Sequence, residues 1–257
     1  DVDAATSSAV LWRFFAALDI DLEIYIPDRL AEGYGPNAPA LRRLRAAGVD
    51  LVITVDCGIT AFEALAEAEA AGLEVIVVDH HAAEPRLPAA AAVVNPNRLD
   101  DSSGQGQLAA VGVAFLLVVA LNRALRDAGW YAKAGRAEPD LRQWLDLVAL
   151  GTVCDVVPLT GLNRAYVAQG LKVMAARGNA GLAALADVAR ITEKPGTYHA
   201  GFLLGPRVNA GGRVGEAPLG ARLLTCNDPG EAAALAARLD GYTAGRRGIE
   251  LQVLAQA

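Results

Sequence analysis

Val75-Ile-Val-Val-Asp-His-His81 runs four β-branched residues straight into an acid and two histidines. An apolar run of this length fits a strand covered on both faces, as in a parallel sheet. Side chains at the carboxyl end of such a strand project into the crevice where open α/β sheets bind ligands. Asp79, His80 and His81 stand there. The chain has three histidines, and two of them are adjacent here. A lone histidine would read as part of a hydrated turn; three metal-capable groups in a row weigh against that.

Upstream, Asp50–Val55 is a second apolar strand ending in Asp56-Cys-Gly58. Thr60 is placed to cap a helix over Ala61–Ala71, which Gly72 ends. Ala38–Ala47 reads as a helix, Gly33-Tyr-Gly-Pro36 as a loop, and Leu22–Ile26 as a short strand closed by Pro27. Small residues from Ala4 lead into a helical pattern through Val10-Leu-Trp-Arg-Phe-Phe-Ala-Ala-Leu18, which puts Asp1 and Asp3 on a strand-to-helix turn. No strand pattern stands before Asp1, so the chain is expected to be a fragment that lacks its first strand. Strand, helix and strand in repetition imply an α/β fold with a parallel sheet and right-handed crossovers. Equivalent ends of parallel strands share one edge, so Asp56, Asp79 and the Asp1/Asp3 pair are expected to converge.

Downstream, Ala91–Val94 is a further strand, Asn95–Gln107 a polar loop, Leu108–Leu125 a long helix, Gly129–Glu138 a loop and Leu141–Leu150 a helix. Gly151-Thr-Val-Cys-Asp-Val-Val-Pro158 carries Asp155 between apolar residues. An acid so placed is paired or coordinated, because burying a bare charge is costly. Asn163–Ala176 and Gly181–Ala189 read as helices, and Gly205-Pro-Arg-Val-Asn-Ala-Gly-Gly-Arg213 as a Gly-rich loop with two arginines. Glu231–Ala257 is one amphipathic helical pattern, taken as a connecting helix. The expected division is residues 1–226 as one domain and 227–257 as that helix, leading toward an absent second domain.

At 257 residues, 53% of them hydrophobic, the chain can bury a substantial core. Its longest apolar run, Val111–Leu121, is too short to span a bilayer, and no secretory signal pattern opens it. Cys57, Cys154 and Cys226 are scattered without metal-type pairing, which suits a reduced interior. A cytoplasmic protein without membrane partners is expected. The net charge of −6 argues against bulk coating of DNA. It leaves open an enzyme acting on phosphates through cations held by carboxylates.

Pooled as strand-end groups, Asp1, Asp3, Asp56, Asp79, His80 and Asp155 put five carboxylates in one pocket, which cannot all ionise at pH 7 without cations. Two divalent metals resolve this. Oxygen-rich ligation with one imidazole and no thiolate suits Mn²⁺, with Mg²⁺ as the competitor. Two metals about 3.5–4 Å apart are a standard device for phosphate ester hydrolysis. His81 is placed to hydrogen-bond a phosphoryl oxygen or protonate a leaving group, and Arg207 and Arg213 to clamp a phosphate. Plainer readings stand beside these. Asp19-Ile-Asp21 has the spacing of Asp1-Val-Asp3 and reads as a solvated turn. Arg207 serves a structural ion pair as readily as a phosphate. His199 reads as a surface or satisfied core residue, and Tyr34, Trp130 and Tyr131 more as packing than as base-stacking groups. The constellation is strong only as a set.

As a set, Asp1-Val-Asp3, Asp56-Cys-Gly58, Asp79-His-His81 and Gly151-Thr-Val-Cys-Asp155 resemble the four ordered motifs of the DHH phosphoesterases. Leu150–Leu159 with Asn163-Arg164, Gly205–Arg213 and Tyr25-Ile-Pro-Asp-Arg-Leu-Ala-Glu-Gly-Tyr-Gly35 resemble, more narrowly, RecJ-type single-strand exonucleases. The resemblance covers nearly the whole chain. It implies a parallel-sheet DHH domain with flanking helices, and a 5′→3′ exonuclease on single-stranded DNA in repair and recombination. It implies Asp1 and Asp56 on one Mn²⁺, and Asp3, Asp56, His80 and Asp155 on a second, with Asp56 bridging. Asp79 would orient a ligand, His81 and Arg213 would meet the scissile phosphate, and Arg207 and Asn209 would line the substrate path. Repair-protein partners are not named by it. The family usually has Gly where Ala4 stands and a further acid two residues before Asp1. The first metal site is therefore expected to be incomplete. The alternatives are a DHH phosphoesterase acting on oligoribonucleotides, cyclic dinucleotides or pyrophosphate, and a non-catalytic DHH-fold replication scaffold. Intact Asp56, His80 and Asp155 argue against the scaffold.

Overall fold

The structure, a computed structural model, describes residues 1–28, 32–213 and 216–256, without the side chains of residue 213 and of residues 246–256. Its centre is a parallel sheet of three strands in the order β1 (Leu51–Val55), β2 (Glu74–Val78) and β3 (Ala92–Val94). The register sets Val55 beside Val78, and Val78 beside Val94. The ladder continues one step further, with Asp56 N donating to Val78 O at 3.0 Å and Asp79 N to Val94 O at 3.1 Å. Asp56, Asp79 and Asn95 therefore leave the sheet along one edge. Val75, Val77 and Val78 are buried, as an apolar strand covered on both faces requires.

Two helices cover one face: α2 (Ala38–Ala46) and α3 (Phe62–Ala70). Leu41, Leu65 and Ala68 close a small core there with Leu73, Val75 and Val77. The other face meets α1 (Val2–Ala17) and α4 (Ala110–Asp127), which open the main core with Phe14, Leu108 and Val111. That core continues into a helical layer made of α6 (Leu145–Cys154), α7 (Gly161–Ala175), α8 (Ala180–Val188), α9 (Gly205–Arg213), α10 (Leu219–Thr225) and α11 (Pro229–Gln256), with the short α5 (Trp130–Ala134) at the end of α4. None of the described helices is long and apolar enough to cross a membrane.

Several elements differ from the sequence reading. Leu22–Ile26 alternates half-buried and exposed residues as a strand would, yet no strand forms there among the described residues. Alternation places side chains, whereas a strand also needs a neighbour for its ladder. Thr60 does not cap α3. The helix starts after Ala61, whose N–H donates to Gly58 O at 3.0 Å in a turn, with no side-chain cap. The helix expected over Leu141–Leu150 is a 3₁₀ turn, Leu141–Trp144, followed by α6, which runs on through Gly151. Asp155 accordingly stands at a helix C-terminus and not at a strand end. The Gly129–Glu138 loop contains α5. Gly205–Arg213 is a helix, not a loop, continuing from one wide π-helical segment, His199–Leu204. The first of its glycines serves close packing: a Cβ at Gly205 would run into Cys154 Sγ and lie 3.2 Å from Ala200 O.

Candidate metal centre

α1 begins at Asp1, whose carboxylate caps the helix by accepting from Ala4 N at 3.1 Å. Asp3, in the first turn, is buried and reaches across the fold. Its Oδ2 accepts from Ala110 N at 2.7 Å and its Oδ1 from Val111 N at 2.9 Å. These are free N–H groups of the first turn of α4, whose N-cap residue Ala109 supplies no side-chain cap. A carboxylate suits a helix N-terminus, so Asp3 ties α1 to α4 as a long-range cap. α6 crosses the same corner at Gly151, where a Cβ would run into Thr6 Oγ1 and sit 2.8 Å from Val111 Cγ1 and 3.2 Å from Asp3 Oδ1. Only glycine admits that approach.

At the sheet edge, Asp56 takes the left-handed backbone conformation (φ 60°), which aspartate tolerates better than most residues. Asp79 is 1% exposed, and both of its oxygens are in use. Oδ2 accepts from Ile59 N at 3.0 Å. Oδ1 accepts from His80 N at 2.8 Å, from His81 N at 3.2 Å and from His81 Nδ1 at 2.7 Å. Asp79 thus holds the tandem histidines from beneath, while half of the His81 side chain stays exposed. Asp155 caps the C-terminus of α6, and the next residue, Val156, is 86% exposed at φ 61°. A β-branched residue is strained in that conformation, and such strain clusters at functional sites.

These elements converge on His80. Its Nε2 lies 3.3 Å from Asp56 Oδ1 and 3.9 Å from Asp3 Oδ2, and its Nδ1 lies 3.7 Å from Asp155 Oδ2. Nδ1 is 3.1 Å from Leu108 O. A carbonyl only accepts, so Nδ1 carries a proton, which leaves Nε2 as the ligand atom. That Nε2 is buried and makes no hydrogen bond. Burial, then Asp56 and Asp155, push the Asp3 carboxyl well above the usual carboxylate range, and burial raises Asp155. Although burial works against it, the surrounding carboxylates hold the His80 imidazole above its ordinary value. Without a cation, protons supply the positive charge that these acids demand, and a metal would displace them. An orphaned ring nitrogen and mutually repelling carboxylates aimed at one space fit a divalent cation.

Among the described residues, two groups of donors lie close enough to share an ion: Asp56, His80 and His81, and Asp3, His80 and Asp155. The structure therefore brings together Asp3, Asp56, His80, His81 and Asp155. Asp1 belongs to neither group. The thiols beside the acids are not ligands in waiting: burial, then the nearby acids, push Cys57 and Cys154 up to about 12, so both stay protonated.

Arg207 is directed elsewhere. Its Nε donates to Asp240 on α11 at 2.8 Å and its Nη1 to Leu203 O at 2.7 Å. This is the structural ion pair set beside the phosphate clamp in the sequence reading. Asn209 is half-buried on α9, and the Arg213 side chain lies outside the described residues. His199 is satisfied, accepting from Gly196 N at 2.9 Å and pairing with Glu193. Tyr131 is buried, donating to Asn122 Oδ1 at 2.5 Å, while the Tyr34 hydroxyl donates to Asp56 O at 3.3 Å. Sequence reasoning gave no role to the asparagines around the site: Asn95 and Asn97 fall in its polar loop, and Asn163 enters only as a helix start and within a family-like stretch. The Asn-Pro-Asn beyond β3 was a usable signal, because it leaves the sheet at the same edge as Asp56 and Asp79.

Comparison with known proteins gives the chain its relatives. The chain is 41% identical over 260 residues to the single-stranded-DNA-specific exonuclease RecJ of Dickeya dadantii (strain 3937), with 100% of this chain and 45% of that protein covered. To the RecJ of Escherichia coli (strain K12) it is 42% identical over 253 residues, with 97% and 44% covered. The chain thus spans a little under half the length of these curated relatives. A crystal structure of exonuclease RecJ bound to manganese matches with a TM-score of 0.85 at 38% identity, over 100% of this chain and 62% of that one. RecJ from Thermus thermophilus in complex with Mn²⁺ matches with a TM-score of 0.81 at 35% identity, over 100% and 35%. The family model for the DHH family, N-terminal domain, matches residues 1–152, which carry Asp3, Asp56, Asp79, His80 and His81. The chain belongs to the DHH family.

Proposed function

We propose that the chain carries the catalytic centre of a metal-dependent 5′→3′ exonuclease acting on single-stranded DNA in repair and recombination. The carrying observation is His80 Nε2, buried and without a hydrogen bond, facing Asp3 and Asp56, with Asp155 Oδ2 3.7 Å from the same ring at Nδ1. Asp3, Asp56, His80 and Asp155 would hold divalent cations, two Mn²⁺ by our reading with Mg²⁺ as the alternative, and Asp1 would join Asp56 on the first. When bound, such a pair supplies Lewis-acid charge to the phosphoryl oxygens and a water ionised at neutral pH.

The remaining roles belong to the chain's own groups. Asp79 accepts from His81 Nδ1, so the exposed far edge of the His81 ring is fixed in orientation and placed to meet a phosphate oxygen or the leaving oxygen. Leu108 O fixes the tautomer of His80. Arg213 is assigned to the scissile phosphate and Asn209 to the substrate path from the family resemblance, whereas Arg207 is committed to its ion pair with Asp240. Residues 1–226 form the DHH domain in this reading, and 227–257 the connecting helix. Three free cysteines accord with a cytoplasmic location.

The test is digestion of end-labelled oligonucleotides with Mn²⁺ by wild type and His80→Ala. Stepwise loss from the 5′ end of single strands, abolished in a variant that stays folded, is expected. Equal activity of the variant would refute the metal assignment, and preference for dinucleotides or pyrophosphate would refute the substrate.

A further inference from the structure

Beyond the ligands, the polypeptide around His80 is gripped by three asparagine amides. Asn95 is 3% exposed and follows β3. Its Nδ2 donates to His81 O at 2.9 Å, and its Oδ1 accepts from Asn97 N at 2.7 Å, closing a turn. That turn aims the Asn97 amide. Asn97 Nδ2 donates to His80 O at 2.5 Å and to Gly106 O at 3.1 Å. Two residues beyond Gly106 stands Leu108, whose carbonyl faces His80 Nδ1 at 3.1 Å. A closed circuit results: His80 carbonyl, Asn97 amide, Gly106-Gln107-Leu108, and back to the His80 ring. Asn163, fully buried on α7, extends it. Its Nδ2 donates to Gln107 O at 2.7 Å and to Pro158 O at 3.0 Å, three residues past Asp155.

We propose that Asn97, seated by Asn95 and linked through Gln107 to Asn163, is a positioning residue that sets the orientation of His80 and its spacing from Asp155, and thereby the affinity of the site for a divalent cation. The proposal rests on the metal reading above. Its chemistry is specific to the amide. The NH₂ group offers two donors at a fixed angle, and each of the Asn97 and Asn163 forks spans two backbone carbonyls. A carboxylate would offer none, and a hydroxyl only one. Without the Asn97 fork, His80 O loses its donor, and the Gly106–Leu108 segment that holds the ring keeps its tether to Asn163 but loses its tie to the His80 backbone. Partners of this kind around metal-bound histidines typically contribute 10–100-fold in metal affinity.

Gly106 provides an independent handle. A Cβ there would sit 2.5 Å from Asn97 Oδ1, so Gly106→Ala displaces the amide without deleting it. Mn²⁺ binding to the full chain, wild type, Asn97→Ala and Gly106→Ala, is measured by calorimetry or by the loss of the free-ion EPR signal, and apo-protein Tm is recorded alongside. Both variants are expected to bind Mn²⁺ about 10–100-fold more weakly, with apo Tm changed little. Wild-type affinity in either folded variant overturns the proposal and leaves the metal reading intact. A wild-type chain that binds no Mn²⁺ overturns the metal reading itself. If both variants fail to fold, the amide serves folding and not the site, which also overturns the proposal.

Discussion

Replacing Asp79 by asparagine keeps the side chain's shape and removes one acceptor oxygen. Three donors converge on Oδ1 (His80 N, His81 N and His81 Nδ1) and one, Ile59 N, on Oδ2. An amide can serve only one side. The better orientation keeps its oxygen toward the histidines, which turns its NH₂ on the Ile59 N–H. Hydrogen bonds to a charged group contribute about 1.5–3 kcal/mol, and a buried donor left without a partner costs about 1–3 kcal/mol. Asp79→Asn should therefore destabilise the apo protein by about 3–5 kcal/mol. For a chain of this size that is a fall in Tm of roughly 6–20 °C. Urea denaturation followed by circular dichroism reads the free energy directly, provided the m-value is unchanged. A loss under about 1 kcal/mol would refute the four-donor account. Activity should also fall, because one fewer negative charge then faces the His81 ring.

Other outcomes follow from the same geometry. Gly151→Ala should cost about 1–3 kcal/mol by overpacking, and Thr6→Ala, which removes the nearest clash, should recover part of it in a double-mutant cycle; strict additivity would refute the contact. Burial holds Asp146 up at about 6, with Arg13 opposing, so its ionisation opposes folding. The stability it allows is full below about pH 4 and is lost as pH rises through about 6. Asp146→Asn should therefore be more stable than wild type by about 2–3 kcal/mol at about pH 8, with no gain below about pH 4. Saturating Mn²⁺ should raise the Tm of wild type, with about 2.7 kcal/mol of stabilisation at about 100 times Kd. His80→Ala should show no such rise, and chelation should reverse it in wild type.

How much was legible beforehand differs by element. Val75–Val78 was readable as a buried parallel strand and Asp50–Val55 as an apolar one beside it, because a β-branched run followed by polar residues has few other stable placements. Asp56, Asp79 and His80 were readable with them, since the carboxyl ends of parallel strands share an edge. Gly205–Arg213 was misread because glycine marks both a flexible loop and a tight helix crossing, and only the neighbour, Cys154, tells these apart. Leu22–Ile26 shows the limit of periodicity: it predicts which side chains turn inward, but a ladder partner is a non-local matter.

The sequence by itself determined the chemistry: an α/β scaffold, carboxylates and an imidazole at strand ends, and the membership those motifs signal. Tertiary structure alone decided how they are held. Asp3 caps a helix that begins 107 residues later. Asp155 arrives from a helix end through a crossing that Gly151 permits, and Asn95 and Asn97 meet the histidines only through the β2–β3 register. Residue types fix which donors and acceptors exist; hydrogen bonds and close packing between distant segments fix where they point, and no local pattern encodes that.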